Sequence, residues 1–289
     1  MKRLYYIIAL MLGTLAATLA SCEVEQKEPI YGPDGSILQN PGRVHVQQTA
    51  EDNSPAGQSF TIVDQMGAAI TTIANNQWVD LEAGSYHLVG YTNAEYFDLA
   101  GTVITLKPTT RAQMPALPDG ISGGAKAFNV VEDQTEEANT PFKPLTRKLK
   151  VLGELNGINP DNIASMQATI TGLASGIDLA KGFGAVATST GGYTLPINIS
   201  IVDGKLVMEV NLLGVDLDLD QLFTLTLTTA DGKTYSTSLS LNEILKIFNS
   251  SSINVTFTIT IGLTVENESS LSGTIIDWED GEEVEIPGV

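Results

Sequence analysis

The sequence predicts an all-β protein, two β-sandwiches in tandem with one short helix, and three observations carry that reading. From Ile253 to Val265 every odd position is apolar (Ile253, Val255, Phe257, Ile259, Ile261, Leu263, Val265) and the positions between are Asn, Thr or Gly. A period of two sets one side of a strand against a core. Asp203-Gly204 and Asp231-Gly232 each separate two β-prone runs, INISIV from KLVMEV and FTLTLTTA from KTYSTSLSL. Asp-Gly accepts the positive φ that a tight hairpin turn demands. Only one stretch, Leu241 to Phe248, carries a helical period: Leu241, Ile244, Leu245 and Phe248 share a face, with Ser240 and Glu243 spaced as a capping box.

The elements follow in order. Residues 1–22 open with Lys2 and Arg3, continue in a short apolar run from Leu4 to Ala17 and close on Leu19-Ala20-Ser21-Cys22. This is a secretory signal rather than a membrane span, because the run is short and ends in small residues. The closing tetrapeptide resembles a bacterial lipobox, which implies that Cys22, the single cysteine of the chain, takes a diacylglyceryl group and becomes the new N-terminus. Two acyl chains suffice for stable anchoring. Residues 23–39 are polar and turn-rich, with Pro29, Gly32 and Pro33 opposing regular structure, and read as a tether. Glu23, Glu25 and Glu28 resemble the acidic export signal of Bacteroidetes surface lipoproteins, or serve a plain soluble linker.

A first domain is expected over 40–142. QSFTIVD, QWVDLEA, SYHLVGYTN and GTVITLK are short, β-branched or aromatic, and bounded by Gly, Asn or Pro, as strands are. Lys107 to Gly124, rich in Pro and Gly, reads as a long excursion. The acidic run from Glu132 to Glu137, continuing to Pro144, reads as a boundary, with the second domain over 143–289. In the tail, Thr274-Ile275-Ile276 is β-prone and Asp280-Gly281 can turn the chain into Glu283-Val284-Glu285-Ile286. That final hairpin either completes its own sandwich or adds as a strand to a neighbouring subunit, with Val284 and Ile286 facing the neighbour's groove.

Charge excludes some functions. The chain of 289 residues has 15 Lys and Arg against 34 Asp and Glu, a net charge of −19, and loss of Lys2 and Arg3 with the signal takes the balance to −21. Such a surface repels nucleic acid and anionic headgroups. With one cysteine there is no intramolecular disulfide, so stability must come from an apolar core. No second long apolar segment follows the signal, so no further membrane span is expected.

Three segments carry a family resemblance. LTRKLKVLGELNGINPDNIASMQATITGLASGIDLAKG (Leu145 to Gly182) resembles the start of the second domain of Bacteroidales fimbrial proteins. WVDLEAGSYHLVGYTN (Trp78 to Asn93) is similar to a first-domain segment of those proteins, and IIDWEDGEEVEI (Ile275 to Ile286) to the close of fimbrillin-like chains. In this order, behind a lipobox, they resemble FimB-like anchor or accessory subunits of type V pili. The resemblance implies two transthyretin-like β-sandwich domains, pilin subunits as partners, a lipid anchor in the outer membrane, and assembly by strand exchange. In the polymer subunits the groove opens by cleavage after an arginine in the N-terminal region. Of the first-domain arginines, Arg43 and Arg111, the better placed is Arg43, in Pro41-Gly42-Arg43; it is either a processing site or an uncut loop arginine. An anchor cut there would lose its lipid.

Catalytic chemistry finds little support. His45 and His87 are the only histidines, and neither lies at metal spacing from Cys, Asp or Glu; His87 reads as a half-exposed strand position. Asp216, Asp218 and Asp220 imitate the start of a calcium loop, but Gln221 and Leu227 stand where that loop needs Gly and Glu. Their alternation with Val215, Leu217 and Leu219 predicts a strand with an acidic outer side. Gly172 to Gly176 is not a nucleophile elbow, and Gly182, Gly184, Gly191 and Gly192 lack the setting of a phosphate loop. Asp277, Glu279 and Asp280 are carboxylates of the kind expected by chance in so acidic a chain. The expectation is therefore no enzyme, no cofactor and no metal.

The leading function is a surface lipoprotein that anchors or decorates a fimbria and supports adhesion. The alternative is a glycan-binding surface lipoprotein working beside an outer-membrane nutrient importer, with Trp78 and Trp278, the only tryptophans after the signal, as its candidate sugar platforms. Cys22→Ser should move the protein from membranes to the soluble fraction and abolish metabolic labelling by a fatty acid. A variant that still labels and sediments with membranes would show that the anchor lies elsewhere.

Overall fold

The computed structural model describes residues 28–48, 58–108, 117–187, 192–250, 255–266 and 271–280. Cys22, Arg111, Val284 and Ile286 lie outside them. The strands of the first half are β1 (Pro41–Val46), β2 (Ser59–Asp64), β3 (Ala69–Ala74), β4 (Gln77–Glu82), β5 (Gly84–Tyr91), β6 (Phe97–Ala100), β7 (Val103–Leu106), β8 (Ser122–Val130), β9 (Thr135–Ala138) and β10 (Lys143–Pro144). The second half holds β11 (Arg147–Asn156), β12 (Ile163–Leu173), β13 (Gly176–Asp178), β14 (Tyr193–Ile197), β15 (Ile199–Val202), β16 (Lys205–Leu212), β17 (Leu222–Thr229), β18 (Thr234–Ser240), helix α1 (Asn242–Leu245), β19 (Phe257–Val265) and β20 (Leu271–Asp280). No helix among the described residues is long and apolar enough to cross a membrane.

Each half is a β-sandwich. In the first, the sheet β4-β1-β9 packs on β10-β8-β5-β2-β3. Val44, Val46, Leu81 and Ala138 from one sheet meet Phe60, Ile62, Ile73, Leu88 and Val130 from the other, closed by Phe142. In the second, β15-β16-β11-β19-β20 packs on β14-β12-β17-β18. The alternation of 253–265 holds over its described part: Val255, Phe257, Ile259, Ile261 and Leu263 are all buried. Strand β19 lies parallel to β11 and antiparallel to β20, with a bulge in β20 opposite Thr260 and Ile261.

The two Asp-Gly turns differ. Asp203 and Gly204 both take positive φ, 50° and 76°, and Val202 pairs with Lys205 across a two-residue loop, the type I′ geometry. At the second, only Gly232 has positive φ, 84°. Thr229 N–H bonds Lys233 O at 2.9 Å and Gly232 N–H bonds Thr229 O at 2.9 Å, a three-residue loop ending in a left-handed glycine. The helix is also shorter than its period suggests. Its N-cap is Leu241 with no side-chain cap, because Glu243 pairs with Lys246 at 2.7 Å instead of reaching back to residue 240. The apolar face survives, with Leu241, Leu245 and Phe248 buried.

A third core joins the sandwiches. β13 of the second half pairs antiparallel with β7 of the first, Ile177 opposite Ile104, in the sheet β13-β7-β6. Around it Val63, Val89, Phe97, Ile104, Leu106, Leu117, Ile121 and Leu145 pack with Ile177, Leu179 and Leu213. The segment expected as an excursion thus returns by burying Leu117 and Ile121 in this joint. Thr102 Oγ1 donates to Asp178 Oδ1 at 2.7 Å across it. Burial pushes the Asp178 carboxyl up, but bonds from Thr102, Lys181 and the Ala180 N–H outweigh burial and hold it below its ordinary value.

The second core is closed by a residue that its sequence disguises. Arg147 is fully buried, with Nε donating to Val255 O at 2.9 Å and Nη1 to Phe248 O at 3.1 Å. Its guanidinium lies 5.2 Å from the Phe248 ring centroid and 5.1 Å from that of Phe257, contacts that strengthen when desolvated. Phe257 also stacks on Trp278, 5.9 Å between centroids and 11° between planes. Phe257→Ala should therefore cost about 3–5 kcal/mol in a denaturant titration, and Thr258→Ala less than about 0.5 kcal/mol. Equal losses at the two positions would contradict the alternation.

Candidate functional site

The site centres on β1, the first strand of the described residues. Residues 28–40 lead into it through a tight turn: Tyr31 bridges Ile37 and Leu38 N–H bonds Ile30 O at 2.9 Å. The Gln39 and Asn40 N–H groups donate to the Glu82 carboxylate at 2.9 and 2.7 Å. At Gly42 a Cβ would fall 2.3 Å from Val131 O, so only glycine lets β1 approach the 131 backbone this closely. From there β1 runs between two strands, antiparallel to β4 and parallel to β9.

This places Arg43 in the middle strand of a sheet, not in a loop. Its backbone faces Asp80 on one side and Thr135 on the other, and its N–H donates to Gln134 O at 2.8 Å. Its side chain points outward, 3.4 Å from Asp80. Val44 and Val46 point inward and are fully buried, each worth about 1.5–3 kcal/mol of hydrophobic stabilisation. If β1 left, the backbone of β4 and β9 would be unpaired and a slot two valines long would open onto Phe60, Ile62 and Leu88, a strand-shaped acceptor. The partner β9 lies inside the acidic run that reads as a boundary in the sequence. Its four residues pair in parallel with a strand some ninety positions away, which no local signal announces.

The outer side of the same sheet carries an ordered aromatic cluster. His45 and Trp78 are directly opposite each other, their rings stacked at 4.2 Å and 10°. His45 Nε2 is 3.0 Å from Asn76 Oδ1, and the Arg43 guanidinium lies 5.5 Å from the Trp78 centroid. Trp78 remains 50% exposed. A pairing over 33 positions hid this cluster from the sequence, although each residue was visible singly.

The remaining candidates are scattered. His87 is a half-buried position of β5. Residues 216–219 form a turn, correcting the expected acidic strand. Leu219 N–H bonds Asp216 O at 3.0 Å, Asp216 Oδ1 accepts from Asp218 N–H at 3.1 Å, and Gln221 Nε2 donates to Asp216 O and Leu219 O, both at 2.6 Å. These local side-chain bonds outcompete the ladder. Asp277 Oδ1 accepts from the N–H of Trp278. Among the described residues no three His, Cys, Asp or Glu are grouped to hold a metal ion.

Fold and site together define a two-sandwich protein whose first sandwich is completed by its N-terminal strand. A scan of protein-family models and a search of curated proteins return no match. Among solved structures, a candidate adhesin from Bacteroides ovatus is similar at 9% identity, with 84% of this chain and 96% of that chain covered and a TM-score of 0.51. A candidate adhesin from Bacteroides thetaiotaomicron VPI-5482 follows at 15% identity, 83% and 97% coverage and a TM-score of 0.49. At these identities the likeness to the first is one of fold.

An arginine-specific protease should cut the native protein after Arg43 only as fast as β1 opens. Val44→Asp, which forces a carboxylate into the core, should raise cleavage there at least tenfold, read by mass spectrometry of the fragments. Equal rates in both proteins would mean that β1 is not held as described.

Proposed function

We propose that the chain is a surface lipoprotein, an anchor or accessory subunit of a fimbria of the FimB-like kind. It assembles with pilin subunits by β-strand exchange, supports adhesion and catalyses no reaction. The observation that carries this reading is the place of β1: an N-terminal strand, central in its sheet, whose two buried valines fill a slot shaped for an extended segment. The tail repeats the same spacing, Val284 and Ile286 around Glu285 where β1 has Val44 and Val46 around His45. In the uncut chain the slot is filled by the protein's own strand. Such a subunit cannot accept a donor there and can only donate, so it ends a row of subunits, as an anchor must. Similarity in fold to candidate adhesins of Bacteroides agrees with a role at the cell surface.

Strand β20 runs to Asp280, so the deletion that tests donation begins at 281. Removing residues 281–289 should leave the melting transition within a few degrees of the full chain, and the truncated protein should fail to co-purify with sheared fimbriae. A stable truncation that still enters fimbriae normally would rule out donation by the tail.

A further inference from the structure

We propose that the Arg43–His45–Trp78 surface binds a neutral polysaccharide, with one sugar ring stacked on the open side of the Trp78 indole. The proposal does not rest on strand exchange; it needs only β1 in place. Its first support is that an exposed indole is held rather than free. His45 covers one side, Asn76 holds the imidazole, and Asp80 pairs with the guanidinium that lies over the ring, both ring partners reaching it from β1. A rigid aromatic loses little side-chain entropy when it takes a ligand. Both ring partners come from β1, while β4 is the edge of its sheet. The uncovered side of the indole therefore looks away from β1, over the open edge.

Charge and shape select the occupant. Outward on this sheet stand Arg43 and His45 with Asp80, Glu82, Glu137 and Thr135, by register with β1. Carboxylates outnumber cations here as in the whole chain, so nucleic acids and acidic glycans are repelled. The cationic contact of the ring is already supplied by Arg43, which disfavours a basic peptide. A flat sheet surface encloses little of a small aromatic molecule, whereas an extended polymer can lie along it. A neutral sugar offers a C–H side to the indole and hydroxyl donors to the carboxylate of Asp80, two positions along the same strand; Arg43 acts by holding the ring. Trp278 is a built-in control. It is 43% exposed but stacks on the buried Phe257, and Asp277 and Glu279 flank it in sequence.

The test uses the mature full-length chain with Cys22→Ser, run in native affinity gels containing dextran, laminarin, galactomannan or the anionic polygalacturonate, with tryptophan fluorescence titrations alongside. At least one neutral polymer should retard the protein and shift its emission. Trp78→Ala should weaken that binding at least tenfold and Arg43→Ala several-fold, whereas Trp278→Ala should bind as before; unchanged melting curves exclude unfolding of the variants. Failure of all three neutral polymers, binding that survives Trp78→Ala, or tighter binding of polygalacturonate would each overturn the proposal. Loss of binding with fimbrial incorporation intact would separate this site from the assembly role.

Discussion

The burial of Val44 and Val46 is the interaction on which the first sandwich depends. Two side chains of one short strand reach between its sheets, and the backbone that carries them pairs with β4 on one side and β9 on the other. The inward valines make the strand part of the core, while the outward Arg43 and His45 make it part of the surface. The same six residues thus decide whether the slot is filled and whether the Trp78 cluster exists. Gly42 and the Glu82 carboxylate set where the strand begins. Departure of β1 would therefore empty the slot and dismantle the surface together.

The joint is a different solution to the same shortage of cross-links. With a single cysteine in the chain, the halves are held by apolar burial and by backbone. Leu106 N–H reaches Ser175 O at 2.7 Å, Leu179 N–H reaches Thr102 O at 2.9 Å, and Asn211 Nδ2 donates to Asp119 at 2.7 Å. Ile104, Ile177 and Leu213 pack in the joint with Leu106 and Leu179, where water competes less for the two backbone bonds, while the Asn211–Asp119 bond is exposed. An interface that shares a sheet and a core suppresses the swivelling usual for neighbouring domains.

What the sequence revealed was what is local. The alternation around Phe257 and the turn at Asp203-Gly204 are fixed by adjacent residues, and both stand in the structure as read. Four of the first-half strands are in place for the same reason. Strand β9 was hidden because an acidic tetrapeptide joins a sheet only by its backbone pairing with β1. Strand β13, three residues long, was hidden because its partner belongs to the other half. Arg147 reads as surface by composition, yet two carbonyls and two rings give it a place inside. At Asp216 the alternation was real but misleading, since side-chain bonds to nearby backbone close a turn. For the site, Arg43 and Trp78 were legible as residues, while their common sheet was not.

The geometry of β1 also has a mechanical meaning. Tension applied at the N-terminal end of the folded chain enters through Asn40 and runs along the strand axis. Because β1 is bonded on both sides, that load shears its two ladders together rather than unzipping them pair by pair. The lifetime of the folded domain under pull is then set by the rate of a concerted rupture, not by the equilibrium balance of its contacts. Beyond β1, the two halves share the β7–β13 pairing and a core, so the load meets packed structure there as well. A protein so built meets flow as a clasp held along the whole length of one strand.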